Sequence, residues 1–167
     1  MFTSTRTPLK IGIIFGLIFT LVTGSLFAGA NVKRKTVRKG DGTTNINAAR
    51  DSQGSSAVVT IWGNSVDTYM DEQGVDQVTI SVETIEQWIE DANGNLVPDL
   101  TFIFGPHGCF FTEPLELKLK GNYVTDNVML YGEDGEPVEY IRRGNSNQVV
   151  FLIPHFSRYA YDQYDYY

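Results

Sequence analysis

From Ala57 onward the chain repeats one pattern, short apolar runs with a two-residue period cut by turn-forming residues. Leu115, Leu117 and Leu119 alternate with Glu116, Lys118 and Lys120, which sends the leucines to one face of a strand and the charges to the other. Val78, Ile80 and Val82 do the same against Thr79, Ser81 and Glu83, as do Leu100, Phe102 and Phe104 against Thr101 and Ile103. Ala57 to Trp62 is a β-branched run stopped by Gly63-Asn64, and Val149 to Ile153 is an unbroken apolar run suited to a central strand. Val128, Leu130 and Val138, Tyr140 flank Asp134-Gly135, a hairpin turn signal. Only TIEQWIED, residues 84–91, has helical spacing, with Ile85, Trp88 and Ile89 on one side. About six or seven strands at this spacing predict an all-β fold, a small antiparallel β-sandwich with one short helical turn.

The first 56 residues follow other rules. Arg6 and Lys10 precede an apolar run from Ile11 that closes on Ala28-Gly29-Ala30. This three-part layout predicts an export helix cleaved after Ala30, leaving Asn31 as the mature N-terminus in an extracytoplasmic protein. The same run is long enough for a retained membrane anchor. Lys33, Arg34, Lys35, Arg38 and Lys39 follow at once, and positive charge there resists translocation. Residues 31–56 are polar, rich in Gly, Ser, Thr and Asn, and predict a flexible basic linker. The expected organisation is therefore a signal peptide or membrane anchor over 1–30, a linker over 31–56 and a β-sandwich with a Tyr-rich tail over 57–167.

Charge narrows the partners. All 20 acidic residues lie after residue 30, with 11 of the 13 basic ones, the other two being Arg6 and Lys10. Residues 51–167 hold 19 acidic and five basic residues, which disfavours nucleic acid, since phosphates need a basic face. The basic stretch could touch anionic headgroups, but the reading preferred is a solvated linker, so membrane contact is expected only through the N-terminal segment. Cys109 is the single cysteine, which excludes an internal disulfide and, beside Phe110, predicts a buried thiol.

Two blocks carry a family likeness. FIFGPHGCFFTEPLELKL, residues 102–119, and VVFLIPHFSRYAYD, residues 149–162, resemble the ZU-five domain of ankyrins, zonula-occludens scaffolds, netrin receptors and bacterial surface proteins. The residues that carry it are Phe104-Gly105-Pro106-His107-Gly108, Phe111, Pro114 and His155-Phe156-Ser157; the glycine-pair and proline–glycine–alanine signals that usually open the domain are absent. The resemblance implies a β-sandwich used for scaffolding and interaction, with a protein or cell-surface component as partner. It also implies a second possibility, because in some eukaryotic members His-Phe-Ser cleaves itself between Phe and Ser. For His155-Phe156-Ser157 the serine oxygen would attack the preceding carbonyl, the resulting ester would be hydrolysed, and the histidine would accept the hydroxyl proton. On an ideal strand His155 and Ser157 share a face. The plainer account has Phe156 plugging the core while its neighbours satisfy backbone groups.

Other constellations are weaker. His107, Cys109 and His155 are ligand types without a fourth partner, and Asp91, Asn93, Asn95 and Asp99 imitate a calcium loop that has Leu96 and Phe102 where Gly and Glu are needed. No cofactor or metal is therefore expected. A third function class, carbohydrate binding, would use exposed aromatics such as Trp62, Trp88 or the tyrosines of YAYDQYDYY. The reading that leads is an exported, non-enzymatic interaction or structural module of the cell envelope or exterior.

Overall fold

The computed structural model describes residues 30–90, 93–125, 128–142 and 147–162. Residues 1–29 of the expected export segment, Asp91 of the imitated calcium loop and tail residues 163–167 lie outside them. Ten strands form two five-stranded antiparallel sheets. In chain order they are β1 (Asn31–Arg38), β2 (Thr44–Arg50), β3 (Ser56–Ile61), β4 (Gln77–Glu90), β5 (Leu96–Gly105), β6 (Phe110–Lys120), β7 (Met129–Gly132), β8 (Tyr140–Arg142), β9 (Gln148–His155) and β10 (Arg158–Asp162). One sheet runs β1-β4-β5-β10-β7 and the other β2-β3-β6-β9-β8. A helix, α1 (Asp67–Gln73), links β3 to β4, and a 3-10 turn at Gly121–Tyr123 follows β6.

The alternating strands fill the space between the sheets as their spacing requires. Leu115, Leu117 and Leu119 on β6 stand opposite Ile153, Phe151 and Val149 on β9, and all six are buried. On the facing sheet Val82 pairs with Phe104 and Thr84 with Phe102, again buried. Burying such side chains contributes about 1.5–3 kcal/mol apiece before chain entropy is charged against it.

Three expectations are corrected. Residues 31–50 are not a spacer, because β1 pairs along β4 from Asn31↔Thr84 to Arg38↔Gln77 and β2 pairs along β3. Val37, Ile46, Ala48 and Ala49 are the side chains this segment buries, and the Thr84 hydroxyl donates to the Ala48 carbonyl across the sheets at 3.2 Å. The loop joining β1 to β2 also approaches Gly63 so closely that a Cβ there would sit 2.2 Å from the Asp41 carbonyl oxygen. The domain thus begins near residue 31 instead of 57. Second, residues 84–90 continue β4, paired with β5 as far as Glu90↔Leu96. A two-turn helix would start from an unfavourable nucleus, whereas the strand extends a ladder already formed. Third, the helix falls at 67–73, where Met70 is buried and Gly74 caps the end in the left-handed region at φ 64°.

The chain changes sheet at both lateral sides of the sandwich. Edge strands β1 and β2 close one side; β7, the segment 133–139 and β8 close the other. There the Asp134-Gly135 turn forms as expected, with Gly132 N donating to Glu136 O at 2.9 Å and Val138 N to Leu130 O at 2.8 Å, before the second arm crosses to the other sheet as β8.

Candidate functional site

Strand β9 ends at His155 and β10 starts at Arg158, so Phe156 and Ser157 form the bend that carries the chain from one sheet to the other. Phe156 is 2% exposed, stacked on Phe104 at 6.1 Å and edge-on to Phe111 at 4.6 Å between ring centroids. Its N–H donates to the Cys109 carbonyl at 2.8 Å, and Phe104 N–H donates to the Ser157 carbonyl at 2.9 Å. The bend is thus held on both sides by backbone of the neighbouring strands.

The histidine and serine have different partners. His155 is half-buried between the rings of Phe110 and Tyr159, and the Tyr159 hydroxyl donates to the His155 carbonyl at 2.8 Å. The Ser157 hydroxyl donates to Glu133 Oε2 at 3.0 Å. Same-face geometry holds along an ideal strand, and the bend interrupts it. Burial pushes the Tyr159 phenol up to about 12, with Asp134 adding to it against the opposing hydrogen bond to His155. A small cleft of about 210 Å³ lies beside the bend, lined by Pro114, Pro137, Pro154, His155 and Tyr159. Strand β10 is an interior strand, paired with β5 and β7, so a peptide starting at Ser157 would be held by a ladder on each side.

His107 is exposed in the turn that follows the cis Gly105–Pro106 peptide, while Cys109 is fully buried and its thiol is pushed up to about 12 by burial, with Glu72 nearby. Among the described residues no three His, Cys, Asp or Glu side chains are grouped as a metal site would need. Asn93-Gly94 makes the turn of the β4–β5 hairpin, with Gly94 at φ 80°.

The second candidate is a groove beside the turn end of that hairpin, of about 670 Å³, bordered by Trp88, Leu96, Pro98, Gln53, Asn122 and Val124. Trp88 is 38% and Leu96 68% exposed. The Trp88 indole N–H donates to Glu86 Oε1 at 3.0 Å, and Glu86 Oε2 accepts from the Tyr123 hydroxyl at 3.0 Å. Burial, then Glu86, pushes the Tyr123 phenol above its ordinary value. The opposite wall is equally fixed. Asn122 Nδ2 donates to Gln53 Oε1 at 2.7 Å, and Asp51 accepts the N–H groups of Gln53 and Ser55. Burial alone would raise the Asp51 pKa; hydrogen bonds from Ser55 and neighbouring backbone outweigh it and hold the carboxyl below its ordinary value.

This groove escaped sequence reasoning because its walls come from segments far apart in the chain. The one signal available was Trp88 itself, a large aromatic set among Glu86, Gln87 and Glu90. Among the described residues the other aromatics named for carbohydrate binding do not join Trp88 in a row, and Tyr164, Tyr166 and Tyr167 lie outside them. Trp62 is exposed at the end of β3 but does not border the groove, while Tyr159 and Tyr161 are core residues. No helix among the described residues is long and apolar enough to cross a membrane. No protein-family model, curated protein or solved structure matches the chain.

Proposed function

We propose that this chain is an extracytoplasmic, non-enzymatic interaction module of the cell envelope or exterior, built on a ZU-five-like sandwich, whose contact surface is the groove at the end of the β4–β5 hairpin. One observation carries this reading: Trp88 and Leu96 are held out of the core at a strand-paired end whose polar groups are already bonded to one another. Large apolar side chains on a rigid base are what a protein partner uses as anchors, because little side-chain entropy is left to lose on contact. The Glu86 bond that fixes the indole supplies that rigidity.

A photo-crosslinking amino acid at Leu96, in full-length protein made in its own cells, tests the reading. It should give one discrete adduct; the same group at Glu136, on the other side of the sandwich, should give none. Trp88→Ala should remove the adduct without lowering the melting temperature. Absence of an adduct at position 96, or an adduct indifferent to Trp88→Ala, overturns the reading.

A second reading is a single self-cleavage at Phe156–Ser157, favoured by the carboxylate acceptor that Glu133 offers the Ser157 hydroxyl. Intact mass under denaturing conditions separates the two. Self-cleavage predicts two fragments that Ser157→Ala merges into one; a single species in wild-type protein after prolonged incubation excludes it. Carbohydrate binding, the third class, would show as titratable quenching of Trp88 fluorescence by a soluble glycan.

A further inference from the structure

The two lateral sides of the sandwich carry opposite charge. On the β1–β2 side stand Lys33, Arg34, Lys35, Arg38, Lys39 and Arg50, all exposed, with Asp41 the one acidic residue between positions 31 and 50. On the β7–β8 side stand Glu133, Asp134, Glu136 and Glu139, also exposed, with Arg142 at the end of β8 the one basic residue between positions 129 and 142. Within the fold the basic side is poorly answered. Among the described residues its one ion pair is Lys39 with Asp71, while Lys33, Arg34 and Lys35 stand opposite Val82, Ser81 and Ile80. The Asp41 carboxylate accepts the Arg38 backbone N–H at 2.8 Å. Cations placed along an edge strand hinder pairing with another strand, but six on one side exceed that need and leave a field facing outward.

Chain geometry says what that field meets. The apolar run ends at Ala30, and Asn31 is already paired with Thr84, so there is no spacer. Strand β4 continues past Thr84 to Glu90 before turning into β5. At about 3.3 Å per residue the hairpin tip projects ~20 Å beyond the start of β1. If β1 stood upright on a bilayer whose surface lay at Ala30, that tip, with Glu90 exposed on it, would be driven into hydrocarbon, which strongly disfavours a charge. The upright pose is therefore excluded, and which side of the tilted domain turns to the bilayer is left to charge; the side adjoining the apolar run is the basic one.

We propose that the β1–β2 side is a docking face for an anionic lipid bilayer, with Lys33, Arg34 and Lys35 against the headgroup phosphates. While the apolar segment is attached, docking is intramolecular and strong by effective concentration. After its removal the same cations give a weaker, salt-sensitive attraction. The proposal makes no use of the Trp88 groove, so either can fail without the other.

The test uses the full chain reconstituted into vesicles. Cys109 is buried, so a thiol-reactive fluorophore labels selectively at Thr36→Cys on β1 or at Glu136→Cys on the acidic side. Headgroup-level quencher lipids should quench position 36 several-fold more than position 136 when about 30% of the lipid is anionic. The difference should vanish in zwitterionic vesicles and in about 0.5 M salt, where the screening length falls to a few ångström. The triple variant Lys33→Glu, Arg34→Glu, Lys35→Glu should lose it at unchanged melting temperature; if that variant does not fold, the wild-type salt and lipid dependence decides. Equal quenching at the two positions, or quenching indifferent to lipid charge, overturns the proposal. So does a response at both positions that rises with protein density, which marks association of basic and acidic sides between copies.

Discussion

Strands β6 and β1 both belong to long antiparallel ladders, yet they are made in opposite ways. Strand β6 lies inside its sheet between β3 and β9 and buries Leu115, Leu117 and Leu119. Strand β1 lies at an edge, pairs with β4 alone and buries one residue, Val37. The first is a strand because its own side chains require it; the second is a strand because β4 offers a row of backbone groups that must be satisfied. Edge pairing of this kind is specified by the neighbour, leaving the side chains of β1 free to serve something outside the fold.

The comparison can be broken most directly at Leu117. Leu117→Ala should cost about 2–5 kcal/mol in chemical denaturation, and a loss under 1 would mean the sheets pack less tightly than their register implies. Alkaline titration should follow in size. Burial raises the folded-state values of Tyr159 and Cys109 to about 12 and also raises Tyr123. Unfolded phenols ionise near pH 10 and thiols near 8.5, so the stability these groups contribute is complete below those values. It is lost as pH rises from about 9 toward 12. A melting temperature flat across that window would contradict the burial of all three. Val37→Ala removes two methyls from β1 and should cost about 1–2 kcal/mol, clearly less than Leu117→Ala. Smallest of all, Lys35→Ala should change stability by under about 0.5 kcal/mol. Hydrogen exchange sharpens the same contrast. Lys39 N donates to Asp76 O at 2.9 Å, which turns the odd-numbered amides of β1 toward β4. Val32, Arg34 and Thr36 should therefore exchange faster than Lys33, Lys35 and Val37, and all of them faster than the amides of Glu116 to Leu119 in β6, which lie between two paired strands.

The same division explains what could be read from the amino acids. The sandwich and the inward leucines were legible because alternation in β4, β5 and β6 reports directly which face is buried. Strand β1 was not, since NVKRKTVR has the composition of a solvated spacer and its structure is borrowed from β4. Residues 84–90 misled for a related reason, as Ile85, Trp88 and Ile89 fit helical spacing while the hairpin ladder sets their conformation. At the candidate sites the burial of Phe156 and Cys109 was legible from local apolar context. The partner of Ser157 was not, because Glu133 is 24 residues away and reaches it only through the crossing between sheets.

Strand β10 sits between β5 and β7, not at a margin. A chain emerging in order from a ribosome presents β5 and β7 before the residues that must bridge them. Until Arg158–Asp162 arrive, that sheet stays split, Phe104 and Leu130 lack their cover, and collapse into the final form is postponed. Late completion makes β10 the latch on assembly, so truncations just before residue 158 should yield protease-sensitive protein instead of a slightly smaller domain.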